Sequence, residues 1–144
     1  MSLMSFEHPS PHVIDLEVEA QVIDAYDHVN NAVYLTWLDR AAWSHSAALG
    51  VPLEQCVRMR RGMAALRTEI DFVRAALHGD RVRVGTWIAS GDRLRVERRF
   101  EVLRATDGAT LARACTQYVC INLDSGRAVR MPELFARAYV ATAS

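Results

Sequence analysis

A short segment of the chain holds most of the side chains that could do chemistry on a substrate. Residues 24–34 read D-A-Y-D-H-V-N-N-A-V-Y and bring a carboxylate, Asp24, and an imidazole, His28, to positions just before an expected helix. A carboxylate placed there can act as a general base or as a nucleophile. The positive end of the helix dipole and the unpaired N–H groups of its first turn can stabilise an oxyanion. The segment is therefore a candidate catalytic site.

Each of these residues also has a structural interpretation. Asp24 could close an Asx-turn at the end of a strand, and His28 could brace the loop through a hydrogen bond. Asn30 and Asn31 are more typical of helix caps than of catalysts. Tyr34 fits the hydrophobic core or the wall of a pocket. Taking the string as a whole, we favour a catalytic role for Asp24 and leave the role of His28 open.

The elements that position this segment follow from hydrophobic periodicity. Between residues 13 and 22, apolar and polar residues alternate at nearly every second position, which predicts a half-buried strand. From Tyr34 to Leu49, apolar side chains recur every three or four residues, and a stop signal of Gly50 and Pro52 follows, so a long helix is expected. The expected N-cap of this helix is the asparagine at position 30 or 31.

The second half of the chain is rich in strand patterns. A loop after the helix carries three arginines, Arg58, Arg60 and Arg61. Strands are predicted at 64–73, 81–89, 93–105 and 110–122, separated by glycine and aspartate turns that suit hairpins, with a short helix at 132–140. Strands joined by short turns pair antiparallel, and the helix must bury its apolar stripe against them. The predicted fold class is α+β, with the last four strands in a hairpin series.

Length and composition restrict the class of protein. A chain of 144 residues, 51% of them hydrophobic, can bury one core, so a single domain is expected at 13–144 behind a flexible lead at 1–12. The first three residues resemble an expression remnant. A net charge of zero argues against a nucleic-acid partner. No apolar run reaches the ~20 residues of a transmembrane helix, so no membrane association is expected.

Several kinds of chemistry are disfavoured by residue type. All 17 basic residues are arginine, and the absence of lysine excludes Schiff-base chemistry and a phosphate-loop lysine. The histidines are scattered and the cysteines lack paired spacing, so no metal site is expected. No G-x-S-x-G string marks a serine nucleophile. Cys56, Cys115 and Cys120 follow no secretory signal, which predicts reduced thiols in a cytoplasmic protein.

The 24–34 segment resembles a known family. It looks like the D-x-x-G-H-V-N-N-x-x-Y segment of hotdog-fold acyl thioesterases, the group that includes 4-hydroxybenzoyl-CoA thioesterase and the plant acyl-ACP thioesterases. Downstream, T-E-I-D-F at 68–72 and H-G-D at 78–80 resemble the family's second strand and the glycine-aspartate turn after it. The resemblance covers roughly residues 13–135, nearly the whole expected domain.

The resemblance implies a hotdog fold, a five-stranded antiparallel sheet wrapped around the long helix, in a homodimer or homotetramer whose subunits join their sheets and share each site. It implies that Asp24 activates water or attacks the thioester carbonyl, that His28 assists, and that N–H groups near Val29, Asn30 and Asn31 hold the oxyanion. One position departs from the family pattern. Aspartate stands at 27 where glycine is usual, and aspartate tolerates a positive φ better than most residues.

The implied activity is hydrolysis of acyl-CoA thioesters to the free acid and coenzyme A. No cofactor is expected, because coenzyme A enters as part of the substrate. Tyr34 would line the core or the acyl pocket. Arg58, Arg60 and Arg61 would bind the phosphates of coenzyme A, unless they are ordinary solvated charges.

Three alternatives stay open. The first is an acyl-ACP substrate, against which Tyr26 counts because the plant enzymes have asparagine at that position. The second is a non-catalytic acyl-CoA binding or regulatory module on the same scaffold, since a fold does not fix a function. The third is hydration of an enoyl thioester by a differently placed aspartate and histidine.

Overall fold

The computed structural model describes residues 6–141. The sheet is built from five strands, and one long helix lies against it. In chain order the elements are β1 His12–Glu17, a 3-10 turn Ala20–Val22, α1 Asn31–Ala48, α2 Leu53–Met59, β2 Arg61–Phe72, β3 Arg81–Gly91, β4 Arg95–Arg104, β5 Thr110–Asn122 and α3 Glu133–Ala138.

The five strands form one antiparallel sheet in the order β1-β3-β4-β5-β2. The predicted α+β class is confirmed, and so are the hairpins that join β3 to β4 and β4 to β5. The predicted four-strand hairpin series is wrong for β2, which pairs with β5 and forms an edge of the sheet. Residues 73–80, which we call the crossover segment, therefore cross from one side of the sheet to the other instead of making a tight turn.

Helix α1 forms as its periodicity predicts. The side chain of Asn30 caps it by accepting a hydrogen bond from the Ala32 N–H at 2.9 Å. It ends at Ala48 with Leu49 as its C-cap, and Gly50 follows at a φ of 89° that suits glycine. Its buried face packs on the sheet through Tyr34, Trp37, Leu38, Ala41 and Ala42.

The core has two parts along the length of α1. The larger cluster joins the first half of α1 to apolar residues of β1, β3, β4 and β5, with Tyr34, Val84 and Phe100 among its members. The smaller cluster lies at the other end and is closed by α2 and α3, where Cys56 and Phe135 are buried. Strand alternation turns one face of β4 towards the protein interior. The buried residues of that face are Val96, Arg98, Phe100 and Val102.

Two local predictions need correction. Strand β1 ends at Glu17, and the chain then enters the 3-10 turn instead of continuing as a strand to position 22. The loop expected to carry the arginines contains α2, which ends at Arg60 in the left-handed conformation. The short helix α3 is confirmed within its predicted span.

Within the described residues, part of the segment expected to be a flexible lead contacts the sheet. His8 stacks on Trp87 with ring centroids 5.3 Å apart, and the Glu7 N–H donates to Glu101 at 2.8 Å. A Cβ at Gly85 would lie 2.6 Å from the Phe6 ring. The ring can therefore pack on the sheet at this position only because residue 85 has no side chain. Residues 1–5 of the predicted lead lie outside the described residues.

Within residues 6–141, no helix is long and apolar enough to span a bilayer. All three cysteines are free thiols, as predicted. Burial raises the pKa of each of them, so they are held in the protonated form.

Candidate functional site

Asp24 and His28 are the two ends of one turn, residues 24–28, which we call the Asp24 turn. Asp24 Oδ1 accepts hydrogen bonds from the N–H groups of Tyr26 at 2.9 Å and His28 at 3.3 Å. The Asp24 N–H in turn donates to the His28 carbonyl at 2.8 Å. The Asx-turn interpretation of Asp24 is therefore correct, but it occupies one carboxylate oxygen only. Among the described residues, Oδ2 has no hydrogen-bond partner, so it is open to a substrate or to water.

Asp27 adopts the conformation that glycine would allow at its position. Its φ is 61°, and in the part of the chain that the structure describes Arg60 is the other non-glycine residue with a positive φ. Aspartate is one of the residues that tolerate this region. The departure from the family pattern therefore keeps the backbone path of the turn, and it adds an exposed carboxyl side chain beside His28.

The crossover segment fixes the Asp24 turn to the sheet. The Val29 N–H donates to the Ala76 carbonyl at 3.0 Å, and the Ala76 N–H donates to the Tyr34 hydroxyl at 3.2 Å. The Asn30 N–H donates to the Val22 carbonyl at 2.8 Å. Around the start of α1, the Val29 backbone and the Tyr34 hydroxyl are thus held by the crossover segment, and the Asn30 backbone is held by the 3-10 turn.

Arg104 holds the crossover segment itself. Its guanidinium forms ion pairs with Asp80 at 3.2 Å and Asp107 at 3.0 Å, and it donates to the Ala75 carbonyl at 3.2 Å. Asp80 Oδ2 also accepts the Leu77 N–H at 2.9 Å. Arg104 is therefore a positioning residue for the site, acting through residues 75–80.

The hydrogen bonds reduce the predicted set of oxyanion donors. The N–H groups of Val29 and Asn30 already donate to backbone carbonyls. The Asn31 N–H is the first of α1, and no acceptor bonds it among the described residues. A helix N-terminus leaves such N–H groups unpaired and carries a partial positive charge. Of the three predicted residues, Asn31 therefore offers a free donor, while Val29 and Asn30 brace the loop.

Tyr34 lies in the core, with 2% of its surface exposed. Its ring contacts Trp37 and Phe72 at centroid distances of 4.9 and 5.2 Å, and its hydroxyl is used by Ala76. Burial raises the pKa of this phenol, which keeps it neutral. Of the two roles considered for Tyr34, this placement favours the core.

The arginine cluster, Arg58, Arg60 and Arg61, lies at the junction of α2 and β2. Arg60 pairs with Asp124 at 2.8 Å, Arg58 donates to Gln55 at 3.2 Å, and Arg61 donates to the Arg60 carbonyl at 2.9 Å. All three side chains are solvent-accessible.

The structure does not bring the arginine cluster to the Asp24 turn within one chain. The cluster ends at Arg61, the first residue of β2, whereas the Asp24 turn contacts the crossover segment beyond its last residue. Eleven residue steps separate the two ends of β2, a distance of about 36 Å at ~3.3 Å per residue. Within one chain, the arginine cluster and the Asp24 turn are therefore separate places.

No group of three or more metal-ligating side chains occurs within residues 6–141. A cavity of about 200 Å³ lies between α1, β2, β4 and β5, lined by residues that include Arg98 and Tyr118. It does not include the Asp24 turn.

Sequence reasoning missed two residues, Arg98 and Arg104, although both stand within a predicted strand. Arg98 shares the inward parity of Val96 and Phe100, so alternation alone marks it as an unusual charge on a buried face. Nothing in the local sequence connects Arg104 to Asp80, because that contact depends on the path of the crossover segment.

Solved structures share this architecture. The 1,4-dihydroxy-2-naphthoyl-CoA thioesterase of Synechocystis is 23% identical, with a TM-score of 0.82 over 90% of this chain and 96% of that chain. The gentisyl-coenzyme A thioesterase BH1999 is 20% identical, with a TM-score of 0.78 over 85% of this chain and 98% of that chain. A hypothetical protein of Staphylococcus aureus, solved in complex with CoA, is 17% identical, with a TM-score of 0.85 over 94% of this chain and 89% of that chain. The expected hotdog fold is confirmed.

Among curated protein sequences, none matches this one. The sequence model of the thioesterase-like superfamily matches residues 18–139. This span contains the Asp24 turn, α1, every later strand and α3. The chain therefore belongs to the thioesterase-like superfamily.

Proposed function

We propose that this protein hydrolyses acyl-CoA thioesters to the free acid and coenzyme A. The observation that carries the proposal is Asp24, whose carboxylate has one oxygen fixed by the turn and the other open, in the loop that leads into α1. The structural relatives named as CoA thioesterases, and the one solved with CoA, support the same class of substrate.

In the reaction, the thioester carbonyl is attacked at carbon while the carbon–sulfur bond breaks. With Asp24 as general base, it takes a proton from water as the new carbon–oxygen bond forms, and the coenzyme A thiolate leaves and is then protonated. With Asp24 as nucleophile, its oxygen forms a mixed anhydride that water hydrolyses in a second step. The open Oδ2 serves either route, and His28 assists by orienting water or polarising the carbonyl.

The negative charge that develops on the carbonyl oxygen needs a donor close to Asp24. The Asn31 N–H and the positive end of the α1 dipole supply one. An 18-residue helix with a side-chain cap and an extensive buried face is a rigid support for this donor. No cofactor takes part, because a thioester is already an activated acyl group.

A second copy of the chain completes the site in this proposal. Strand β2 is a 12-residue edge of the sheet, and unpaired edges of this length invite pairing with another chain. Large apolar side chains are exposed along this edge and on the adjoining surface of α1, namely Leu35, Trp43, Leu66, Phe72 and Val73. Such exposure is typical of a protein–protein interface.

In such a dimer, two-fold symmetry would bring the arginine cluster of one chain to the Asp24 turn of the other. Two identical edge strands related by a two-fold axis perpendicular to the sheet run antiparallel, so the start of the partner's β2 would lie beside the end of this chain's β2. The partner's arginine cluster would therefore lie near the Asp24 turn, where its guanidinium groups suit the phosphates of coenzyme A. A homodimer is the smallest assembly with complete sites, and a homotetramer can be built from two of them.

The test is thiol release from short, long and aromatic acyl-CoA substrates, comparing the wild type with Asp24→Asn. Asparagine keeps the Oδ1 acceptor that closes the turn and removes the charge, so the loop persists. We expect kcat to fall by about 10²-fold or more, the size typical for loss of a general base. Asp15→Asn is the matched control, because Asp15 forms an exposed ion pair with Arg83 on β1.

The alternatives predict other outcomes. A non-catalytic binding module would bind acyl-CoA without releasing thiol, whichever residue is at position 24. An acyl-ACP hydrolase would release thiol only from the carrier protein. Turnover unaffected by Asp24→Asn would leave hydrolysis standing and place the base elsewhere.

A further inference from the structure

Arg98 is a buried cation without a partner of opposite charge. It lies on the inward face of β4 with 3% of its surface exposed. Its Nη1 donates to His45 Nδ1 at 2.8 Å and to Thr86 Oγ1 at 3.2 Å. Within residues 6–141, no carboxylate oxygen lies within 4 Å of its guanidinium nitrogens. Glu101, equally buried, is by contrast paired with Arg113 at 3.3 Å.

His45 and the two phenols beside Arg98, Tyr118 and Tyr139, are neutral. The pKa of His45 is lowered to about 4 by burial, with smaller contributions from the charges of Arg98 and His12, so its imidazole is uncharged near pH 7. Burial raises the pKa of the phenols of Tyr118 and Tyr139, which therefore stay protonated. Burying a charge without a counter-charge costs free energy, and the guanidinium cannot avoid this cost by losing its proton. The site is therefore electrostatically complementary to an anion.

The guanidinium lines a cavity of about 200 Å³ that lies where the two hydrophobic clusters meet. Its walls are mostly apolar or aromatic and include Ala42, Trp43, Met63, Val96 and Tyr118. An apolar protein cavity of about 150 Å³ is large enough to take up benzene. This cavity therefore has room for a single substituted ring, but it is smaller than the ~300 Å³ at which pockets for larger ligands begin.

We propose that this cavity binds a small aryl carboxylate, with the carboxylate on Arg98 and the ring against the aromatic and aliphatic walls. A planar carboxylate matches the fork geometry of guanidinium. Asp39, an exposed residue that also lines the cavity, disfavours ligands with more than one negative charge, such as inorganic phosphate. Binding at Arg98 needs no hydrolysis, so it can be measured without a thioester substrate.

The experiment is isothermal titration calorimetry of the full-length protein at pH 7 with sodium benzoate, and with benzamide as the neutral isostere. We expect saturable binding of benzoate at one site per chain and at least about tenfold weaker binding of benzamide, because a hydrogen bond to a charged group is worth roughly that factor or more. Arg98→Met should lower the affinity for benzoate by a similar factor.

A second variant keeps the test decisive if Arg98→Met fails to fold. Ala42→Met retains Arg98 and extends a flexible side chain into the cavity, so it should weaken benzoate binding while circular dichroism stays unchanged. Asp15→Asn should bind benzoate as the wild type does, since Asp15 lies on β1 and does not line this cavity.

Three results would overturn the proposal. These are the absence of saturable benzoate binding to the wild type, equal binding of benzamide, and displacement of benzoate by an equal concentration of inorganic phosphate.

Discussion

Asp24 and His28 bond to each other in both directions: the Asp24 N–H donates to the His28 carbonyl, and the His28 N–H donates to the Asp24 side-chain atom Oδ1. The turn is therefore closed by main-chain groups and one carboxylate oxygen. The His28 ring takes no part in it, and among the described residues it has no hydrogen-bond partner. The interpretation of His28 as a brace for the loop is not supported by this arrangement.

We therefore expect His28→Ala to leave stability nearly unchanged and to lower activity. An exposed ring without partners contributes within about ±0.5 kcal/mol to the free energy of unfolding. If the ring orients water or polarises the thioester carbonyl, kcat should fall by about tenfold or more. Urea unfolding and thiol release measure the two effects. His78→Ala, at an exposed histidine outside the turn, is the control, and a loss of stability without a loss of kcat would return His28 to a structural role.

Asp27 offers a test of the backbone conformation of the turn. At a φ of 61°, glycine is unstrained, aspartate is tolerated and a β-branched residue is strongly disfavoured. Asp27→Gly should therefore fold with a stability within about 1 kcal/mol of the wild type, and Asp27→Val should lose about 1–3 kcal/mol. The comparison is made by urea unfolding at pH 7. Equal stability of the valine and glycine variants would contradict the left-handed conformation.

Local periodicity was sufficient for α1 and for most of the sheet, because each of these elements buries one face and so carries a regular pattern. It failed for the partner of β2. A Gly-Asp pair at 79–80 is a good hairpin turn by itself, and it marks a crossover here because Val73 and Arg74 bond to the Leu111 carbonyl on β5 and Asp80 bonds to Arg104. Helix α2 was missed for a similar reason, since it has seven residues and depends on burying Cys56 against the smaller cluster.

In the candidate site too, the features set by local sequence were predicted and those set by distant contacts were not. The motif located the turn and the start of the helix, because residue types and their spacing are local. It could not tell which N–H groups are free, since Val29 finds its acceptor at Ala76 and Asn30 finds its acceptor at Val22. The separation of the arginine cluster from Asp24 likewise depends on the direction of β2, which sequence spacing does not reveal.

Sharing of the site between two chains predicts rescue by mixing two inactive variants. One carries Asp24→Asn, and the other replaces Arg58, Arg60 and Arg61 with glutamine. After the subunits are exchanged in equal amounts, half of the dimers are mixed, and each mixed dimer has one site with an intact Asp24 from one chain and intact arginines from the other. We expect about a quarter of the wild-type activity by thiol release.

Arginines that act on Asp24 of their own chain would give no such rescue. In that arrangement, every site of a mixed dimer contains one of the two defects, so the mixture would show only the average activity of its parents. Size-exclusion chromatography of the two variants before mixing confirms that both assemble like the wild type.

The pKa of His45 predicts how stability depends on pH. Because the pKa is lowered from 6.5 to about 4 in the folded protein, the unfolded chain binds a proton at this residue between those pH values and the folded chain does not. The free energy of unfolding should therefore fall as the pH drops from about 6.5 to about 4, by about 2–3 kcal/mol, with no further loss from this residue below pH 4. The pKa of His12, whose ring stacks on His45 at 5.0 Å, is also lowered by burial and by Arg98, and it adds to the loss in the same direction.

His45→Gln separates this effect from the titration of other groups. Glutamine offers an oxygen that can accept the hydrogen bond from Arg98, and it does not titrate. Urea unfolding at intervals from pH 4 to pH 7 should show a clearly smaller loss of stability in the variant than in the wild type. Parallel curves for the two proteins would mean that His45 is already protonated beside Arg98 in the folded state, which would also contradict the neutral surroundings on which the proposed anion site depends.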